Sequence, residues 1–139
     1  MKHLLLITGC VFALVTTSCS QKINVPPAVT KAFNSKYPGA TNVKWGKENA
    51  KEYEAEFKLN NTAISANFGT DGSWKETETT IKSSELPEAV TKAIQTKYPG
   101  AVINLAEKVE KPEKTYYETV IKINNKKKEI EILPDGKFI

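Results

Sequence analysis

Hydrophobic side chains recur at helical spacing in two stretches of the chain. In each stretch they fall three or four residues apart, which places them on one face of a helix. They are Val25, Val29, Ala32, Phe33 and Tyr37 in the first stretch, and Val90, Ala93, Ile94 and Tyr98 in the second. Both stretches end at Tyr-Pro-Gly, where the proline and the glycine predict that the helix stops.

After each predicted helix the pattern changes to alternation of hydrophobic and polar residues. Alternation is typical of strands that have one face on a core and the other in water. The inward positions are Tyr53, Ala55, Phe57 and Leu59 in the first half, and Tyr117, Thr119, Ile121 and Ile123 in the second. Asn60-Asn61, Asp71-Gly72, Asn124-Asn125 and Asp135-Gly136 predict tight turns, and Lys111 to Lys114 a longer loop.

The two halves are copies of one unit. Residues 25–40 and 86–101 are identical at 11 of 16 positions, and residues 53–74 align without gaps to residues 117–138. One such unit would bury too little apolar surface to be stable alone, so we expect the repeats, residues 25–81 and 86–139, to associate. The predicted class is α+β: tandem repeats of one helix plus about four antiparallel strands, with both helices on one face of an extended sheet. The fourth strand of the second repeat is short, which predicts an open edge or a gap.

The N-terminus has the pattern of a secretory signal. Lys2 precedes an apolar run that is shorter than the ~20 residues of a membrane-spanning helix. Thr16-Thr17-Ser18-Cys19 resembles a bacterial lipobox, although Thr16 replaces the usual leucine. We therefore predict a signal peptide at residues 1–18, a lipidated Cys19 and a tether to residue 24. The alternatives are an ordinary signal with an incidental cysteine, or an uncleaved anchor.

Composition removes several classes of function. The chain has 20 basic and 16 acidic residues, and all the basic residues are lysines, whereas arginine makes the bidentate contacts to nucleic acid. The only histidine, His3, and both cysteines lie in or beside the signal. Histidine-dependent catalysis, Cys/His zinc sites and disulfides are thereby excluded from the folded part. We predict no enzyme, no cofactor, no metal and no nucleic-acid partner.

Carboxylates are the remaining candidates for chemistry. Glu52, Glu54 and Glu56 alternate along one strand face, and Glu129 and Glu131 do the same near the C-terminus. They would suit solvated surface charges, weak calcium binding or acid/base work, and the first interpretation is favoured because calcium needs six to eight oxygen ligands.

The duplicated helix ending in KYPGA, the Asn-Asn hairpins and the Asp-Gly turns resemble the PepSY-like family of beta-lactamase-inhibitor-like proteins. The resemblance covers about residues 25–139. It implies a secreted or periplasmic protein without catalytic residues, similar to the beta-lactamase inhibitor protein, which binds its enzyme with a concave sheet face. Related PepSY domains in peptidase propeptides imply an inhibitory role. This chain lacks the disulfides of that inhibitor, and no inhibitory residue is transferable to it.

We predict that the sheet face away from the helices binds an envelope protein or peptide, as an inhibitor or a chaperone. The alternatives are a ligand- or metal-sensing module of the envelope, and a weak carboxylate-dependent hydrolase. The candidate residues are Glu54, Glu56, Lys58, Ser65 and Asn67 from the first repeat, and Tyr116, Glu118, Val120 and Lys122 from the second. Tyr116 leads because an exposed aromatic ring offers a large contact area. The competing interpretation is that Tyr116 and Val120 make a cross-strand pair that stabilises the sheet.

Attachment to the membrane is expected through the lipid on Cys19 alone, with the protein in the periplasm. Replacing Cys19 by alanine should therefore move the protein from the membrane fraction to the soluble fraction, because the acyl chains supply the anchoring energy. Fractionation of cells that express both forms measures this. A Cys19→Ala protein that is processed and still sediments with membranes would rule out the lipid anchor.

Overall fold

The computed structural model describes residues 23–139, so the predicted signal and Cys19 lie outside the described part. The first half contains helix α1 (Pro27–Lys36) and strands β1 (Thr41–Asn49), β2 (Glu52–Leu59), β3 (Thr62–Gly69) and β4 (Trp74–Ile81). A short 3-10 turn (Ser83–Glu85) leads to helix α2 (Glu88–Lys97) and strands β5 (Val102–Lys111), β6 (Lys114–Ile123) and β7 (Lys126–Ile132). The strands form one 7-stranded antiparallel sheet in chain order. The predicted fold class is confirmed.

Both helices end in the same way. The backbone N–H of Tyr37 donates to the carbonyl of Phe33 at 2.8 Å, and that of Tyr98 donates to Ile94 at 2.8 Å. The next residue in each case is a proline, which prevents the helix from continuing. Within residues 23–139, no helix has the length and apolar character needed to cross a bilayer.

The asparagine pairs make the predicted hairpins. Asn60 and Asn61 have φ values of 50° and 66°, and Asn124 and Asn125 have 47° and 62°, as a two-residue turn with both residues in the left-handed region requires. The predicted longer loop at Lys111 to Lys114 is wrong. Both end residues belong to strands, and only residues 112–113 form the turn between β5 and β6.

Strand register places both helices on the same face of the sheet. Ile64 pairs with Thr79, Thr79 with Lys108, and Lys108 with Tyr117, so these side chains share one face across four strands. At one end of this row Ile64 packs under α1 with Val29, Phe33 and the aromatic residues of the first half. At the other end Tyr117 packs under α2.

The hydrophobic core consists of two clusters, and polar residues lie between them on the helix face. Thr77, at the centre, accepts a hydrogen bond from Trp74 Nε1 at 2.8 Å and also bonds the hydroxyl of Tyr37. Beside it, Lys108 Nζ lies 2.8 Å from Glu110 Oε1. Each of these polar contacts lies within one half. The halves are therefore joined by the β4–β5 pairing, to which the Thr80–Glu107 hydrogen bond and the Lys111–Glu76 ion pair add, rather than by one shared apolar core. Trp45 and Trp74 are half-buried against the first cluster.

The segment after Asp135-Gly136 pairs with β7 only briefly. Phe138 forms an isolated bridge with Ile132, and the Ile139 N–H donates to the Glu131 carbonyl at 3.1 Å. The short fourth strand predicted for the second repeat thus corresponds to a single bridge.

The Asp-Gly turns pack directly on the helices, which gives a test of the fold. A Cβ at Gly72 would lie 2.6 Å from the Ala28 carbonyl oxygen, whereas a Cβ at Gly39 would meet nothing within 4 Å. Both glycines have positive φ. We expect Gly39→Ala to cost about 1–2 kcal/mol from backbone strain alone. Gly72→Ala should cost more, because it also pushes the turn off α1.

Urea unfolding of both variants measures the difference. The second half offers a matched pair, since Gly136 lies against the Ala89 carbonyl at 2.6 Å and Gly100 has no neighbour within 4 Å. Equal losses of stability within each pair would show that the turns do not pack on the helices as described.

Candidate binding face of the sheet

The sheet face opposite the helices is called here the open face. Side chains of directly paired residues point to the same side of a sheet, so the register defines this face row by row. One row runs through Glu56, Ser65, Glu78, Val109 and Tyr116, from β2 to β6. The next runs through Thr80, Glu107, Glu118 and Glu131, from β4 to β7.

All the residues predicted for binding lie on the open face, but in two separate groups. One group is on β2 and β3, where Glu54 pairs with Asn67, Glu56 with Ser65, and Lys58 with Ala63. The other is on β6: Tyr116, Glu118, Val120 and Lys122. The two intervening strands put the groups roughly 14 Å apart. Side chains of β4 and β5 fill the space between them.

Tyr116 is not the exposed aromatic residue that the sequence suggested. Its side chain is 6% exposed and lies directly opposite Val109, which is fully buried. The ammonium groups of Lys111 and Lys114 lie 5.6 and 4.9 Å from the centre of its ring. The predicted exposure is therefore wrong, because neighbouring side chains cover the ring. The proposed pair with Val120 is also wrong, since the cross-strand partner of Tyr116 is Val109.

Five carboxyl groups, one from β4 and four from β5 to β7, lie near one another on the open face and are called here the carboxylate cluster. They are Glu78, Glu107, Glu118, Glu129 and Glu131. Glu107, Glu118 and Glu131 lie directly opposite one another on β5, β6 and β7. Like charges in directly opposed positions destabilise a sheet, so this arrangement weakens the unliganded protein.

Three carboxyl groups of the cluster have a pKa above the ordinary glutamate value. Burial raises the pKa of Glu78 to about 7, with the charges of Glu76, Glu107 and Glu54 adding to the effect. Burial and a hydrogen bond with Glu129 raise the pKa of Glu118 to about 9. Burial also raises the pKa of Glu107, although a hydrogen bond from Thr80 opposes the change. At neutral pH the cluster therefore holds at least one proton.

Lysines neutralise only the margin of the cluster. Lys111 Nζ lies 2.5 Å from Glu76 Oε2, and the Asn67 amide donates to Glu76 Oε1 at 3.4 Å. Lys58 and Lys122 are exposed and lie on the open face in rows that contain no member of the cluster, with Lys122 directly opposite Val102. Among the described residues, no three histidine, cysteine, aspartate or glutamate side chains are grouped so as to hold a metal ion.

A small apolar patch borders the carboxylate cluster. It consists of Val102, Leu105 and Val120, with Leu105 directly opposite Val120. Val102 is 61% exposed and Leu105 is 39% exposed, so two of the large hydrophobic side chains most open to solvent occur together here. The open face thus offers negative charge next to an aliphatic surface.

Sequence reasoning missed Glu76, Glu78, Glu107 and Leu105. The alternation within Trp74 to Ile81 was sufficient to place Glu76 and Glu78 on the open face. Their proximity to the carboxyl groups of the second half depends on β4 pairing with β5, which no local pattern specifies.

Helices on one side of a continuous antiparallel sheet, and a charged open face on the other, define a class of small α+β proteins. The chain belongs to the PepSY-like family, described as "Putative beta-lactamase-inhibitor-like, PepSY-like", whose profile matches residues 17–64 and 51–139. The family resemblance inferred from the sequence is confirmed. No curated protein matches the chain significantly.

Solved structures share the fold. A protein of Bacteroides eggerthii described as a putative periplasmic protein has 24% identity and a TM-score of 0.77, covering 84% of this chain and 87% of its own. A DUF2874 family protein of Bacteroides uniformis has 25% identity and a TM-score of 0.76, with coverage of 82% and 86%. A BLIP-like protein of Bacteroides fragilis has 24% identity and a TM-score of 0.74, covering 86% of both chains.

The raised pKa values predict how stability depends on pH. In the unfolded chain Glu78 and Glu118 release their protons near 4.5, but in the folded protein they keep them to about 7 and about 9. The folded state thus binds more protons than the unfolded chain, and the free energy of unfolding falls as pH rises from 4.5 to about 9. We expect Glu118→Gln to remove much of this loss and to stabilise the protein by about 1–2 kcal/mol at alkaline pH, after allowance for solvent screening.

Urea unfolding across this pH range measures the effect, with Glu113→Gln in the exposed β5–β6 turn as the control. If Glu118→Gln and Glu113→Gln show the same pH dependence as the unchanged protein, the carboxylate cluster does not hold protons as described.

Proposed function

We propose that this protein is a non-enzymatic lipoprotein of the bacterial envelope that binds a protein or peptide through its open face, as an inhibitor or a chaperone. The observation that carries the proposal is the asymmetry of the sheet. The helices cover one face, and the other carries both the carboxylate cluster and the apolar patch. The directly opposed carboxyl groups of Glu107, Glu118 and Glu131 lower the stability of the free protein. Arrangements that lower stability are expected at surfaces that bind a partner.

Membership of the family supports a binding role. The family is described as beta-lactamase-inhibitor-like, and a BLIP-like protein shares the fold. The relative described as a putative periplasmic protein, together with the signal-like N-terminus, supports a periplasmic location with Cys19 as the lipid anchor. Fold alone does not fix function, so the proposal depends on the open face itself.

Site-specific cross-linking tests the proposal. A photoreactive phenylalanine analogue would be placed at Val102 or Glu56 on the open face, and at Thr96 on α2 as the matched control. All three positions are exposed. Irradiation of whole cells should give the same protein adduct from Val102 and Glu56, and none from Thr96. An adduct from Thr96 alone, or equal adducts from all three positions, would contradict binding by the open face.

A further inference from the structure

The open face has a chemical character that indicates what kind of partner fits it. On the basis of the function proposed above, we propose that the open face binds a cationic polypeptide segment. Lysine or arginine side chains of the segment would lie on the carboxylate cluster, and an aliphatic side chain would lie on the apolar patch.

Charge complementarity is the first support. Glu107, Glu118 and Glu131 form a row of directly opposed carboxyl groups, and Glu129, on the same face of β7, lies diagonally opposite Glu118. No lysine occupies this row among the described residues. Cations placed between the carboxyl groups would replace repulsion by attraction, which a neutral or acidic partner cannot do.

The position of the apolar patch is the second support. Val120 lies two residues from Glu118 on β6, and Leu105 lies two residues from Glu107 on β5. Both pairs of residues are on the same face, so the patch and the cluster are immediate neighbours. Leu105 and Val102 are among the most exposed large hydrophobic side chains, and Lys122 lies directly opposite Val102. A segment with an aliphatic residue close to its basic residues would therefore contact both surfaces.

The distribution of charge over the molecule is the third support. The outer surfaces of the helices carry exposed lysines, namely Lys31, Lys36, Lys92 and Lys97. The chain as a whole has a net charge of +4, yet five carboxyl groups gather on strands β4 to β7 of the open face. A cationic segment would be repelled by the helix side and attracted to the open face, which would orient its approach.

Proton binding by the carboxylate cluster predicts how the affinity for a cationic segment depends on pH. Glu118 is faced by Glu107 from β5 and by Glu129 and Glu131 from β7, with Glu78 of β4 nearby. On its own strand its same-face neighbours are Tyr116 and Val120, with Lys122 beyond. Lys111 and Lys114 lie over the Tyr116 ring. A bound cation competes with the protons held among these groups, so affinity should rise with pH and protons should be released on binding.

A synthetic peptide provides the direct test. The probe is a short capped peptide with lysines at alternate positions, serines between them and one leucine at its centre. A matched peptide has glutamate in place of lysine, and another has serine in place of the leucine. Titration calorimetry with the mature protein should detect binding of the lysine peptide only. Binding should be weaker at high salt, and tighter as pH rises towards the pKa of Glu118 at about 9, where the peptide lysines are still charged. Loss of the leucine should weaken binding about threefold or more.

Protein variants locate the binding site. Glu107→Gln combined with Glu131→Gln should weaken binding of the lysine peptide by at least about tenfold, and Leu105→Ser should act like removal of the peptide leucine. The control is Glu113→Gln, which lies outside the open face and should change affinity by less than about twofold. Circular dichroism confirms that each variant is folded. Equal binding of the glutamate peptide, unchanged binding by the double variant, or no binding of the lysine peptide would each overturn the proposal.

The outcomes separate this proposal from the proposed function. If cross-links form from Val102 and Glu56 but the lysine peptide does not bind, the open face has a partner of another chemistry and only the cationic segment is refuted. If the lysine peptide binds through the cluster but cellular cross-links form only from Thr96, the physiological role of the open face is refuted instead.

Discussion

The antiparallel pairing of β4 with β5 is the interaction on which the rest of the structure depends. It joins Thr77 to Glu110 at one end and Ile81 to Ala106 at the other, and it is where the two halves of the sheet meet. Each half has its own hydrophobic cluster under its own helix. A unit of this size buries little apolar surface by itself, so the shared hydrogen bonds and the closed strand edges stabilise both halves.

The same pairing creates the electrostatic problem of the open face. It places Glu78 of the first half next to the row that Glu107, Glu118 and Glu131 of the second half form. Burial and neighbouring negative charges both raise the pKa of Glu78 and Glu118, so the free protein retains protons there and the repulsion is reduced. The repulsion lowers the stability of the fold at alkaline pH, and the same carboxyl groups concentrate negative potential over strands β4 to β7 of the open face. An inhibitor or chaperone that uses this surface would gain selectivity by charge rather than by a shaped pocket.

Sequence patterns predicted most of the fold because the signals were local. Helical spacing located α1 and α2, alternation assigned Tyr53, Phe57 and Ile121 to the core, and the asparagine pairs specified the hairpins. The duplication then suggested a continuous sheet. The candidate site was predicted less well, because alternation assigns a face but not the surroundings on that face. Tyr116 was placed on the correct side, yet its cover by Lys111 and Lys114 depends on the β5–β6 register. The carboxylate cluster depends on a contact between strands of different halves.

The central claim is that one continuous sheet brings carboxyl groups of both halves together on its open face. Carbon-13 NMR titration of the glutamate side chains tests it most directly, because each carboxyl carbon reports its own protonation. We predict that Glu78 titrates near 7 and Glu118 near 9, and that Glu107 titrates above the ordinary glutamate value of 4.5. If all these carboxyl groups titrate near 4.5, they do not lie together as described, and the basis for the proposed binding face is lost.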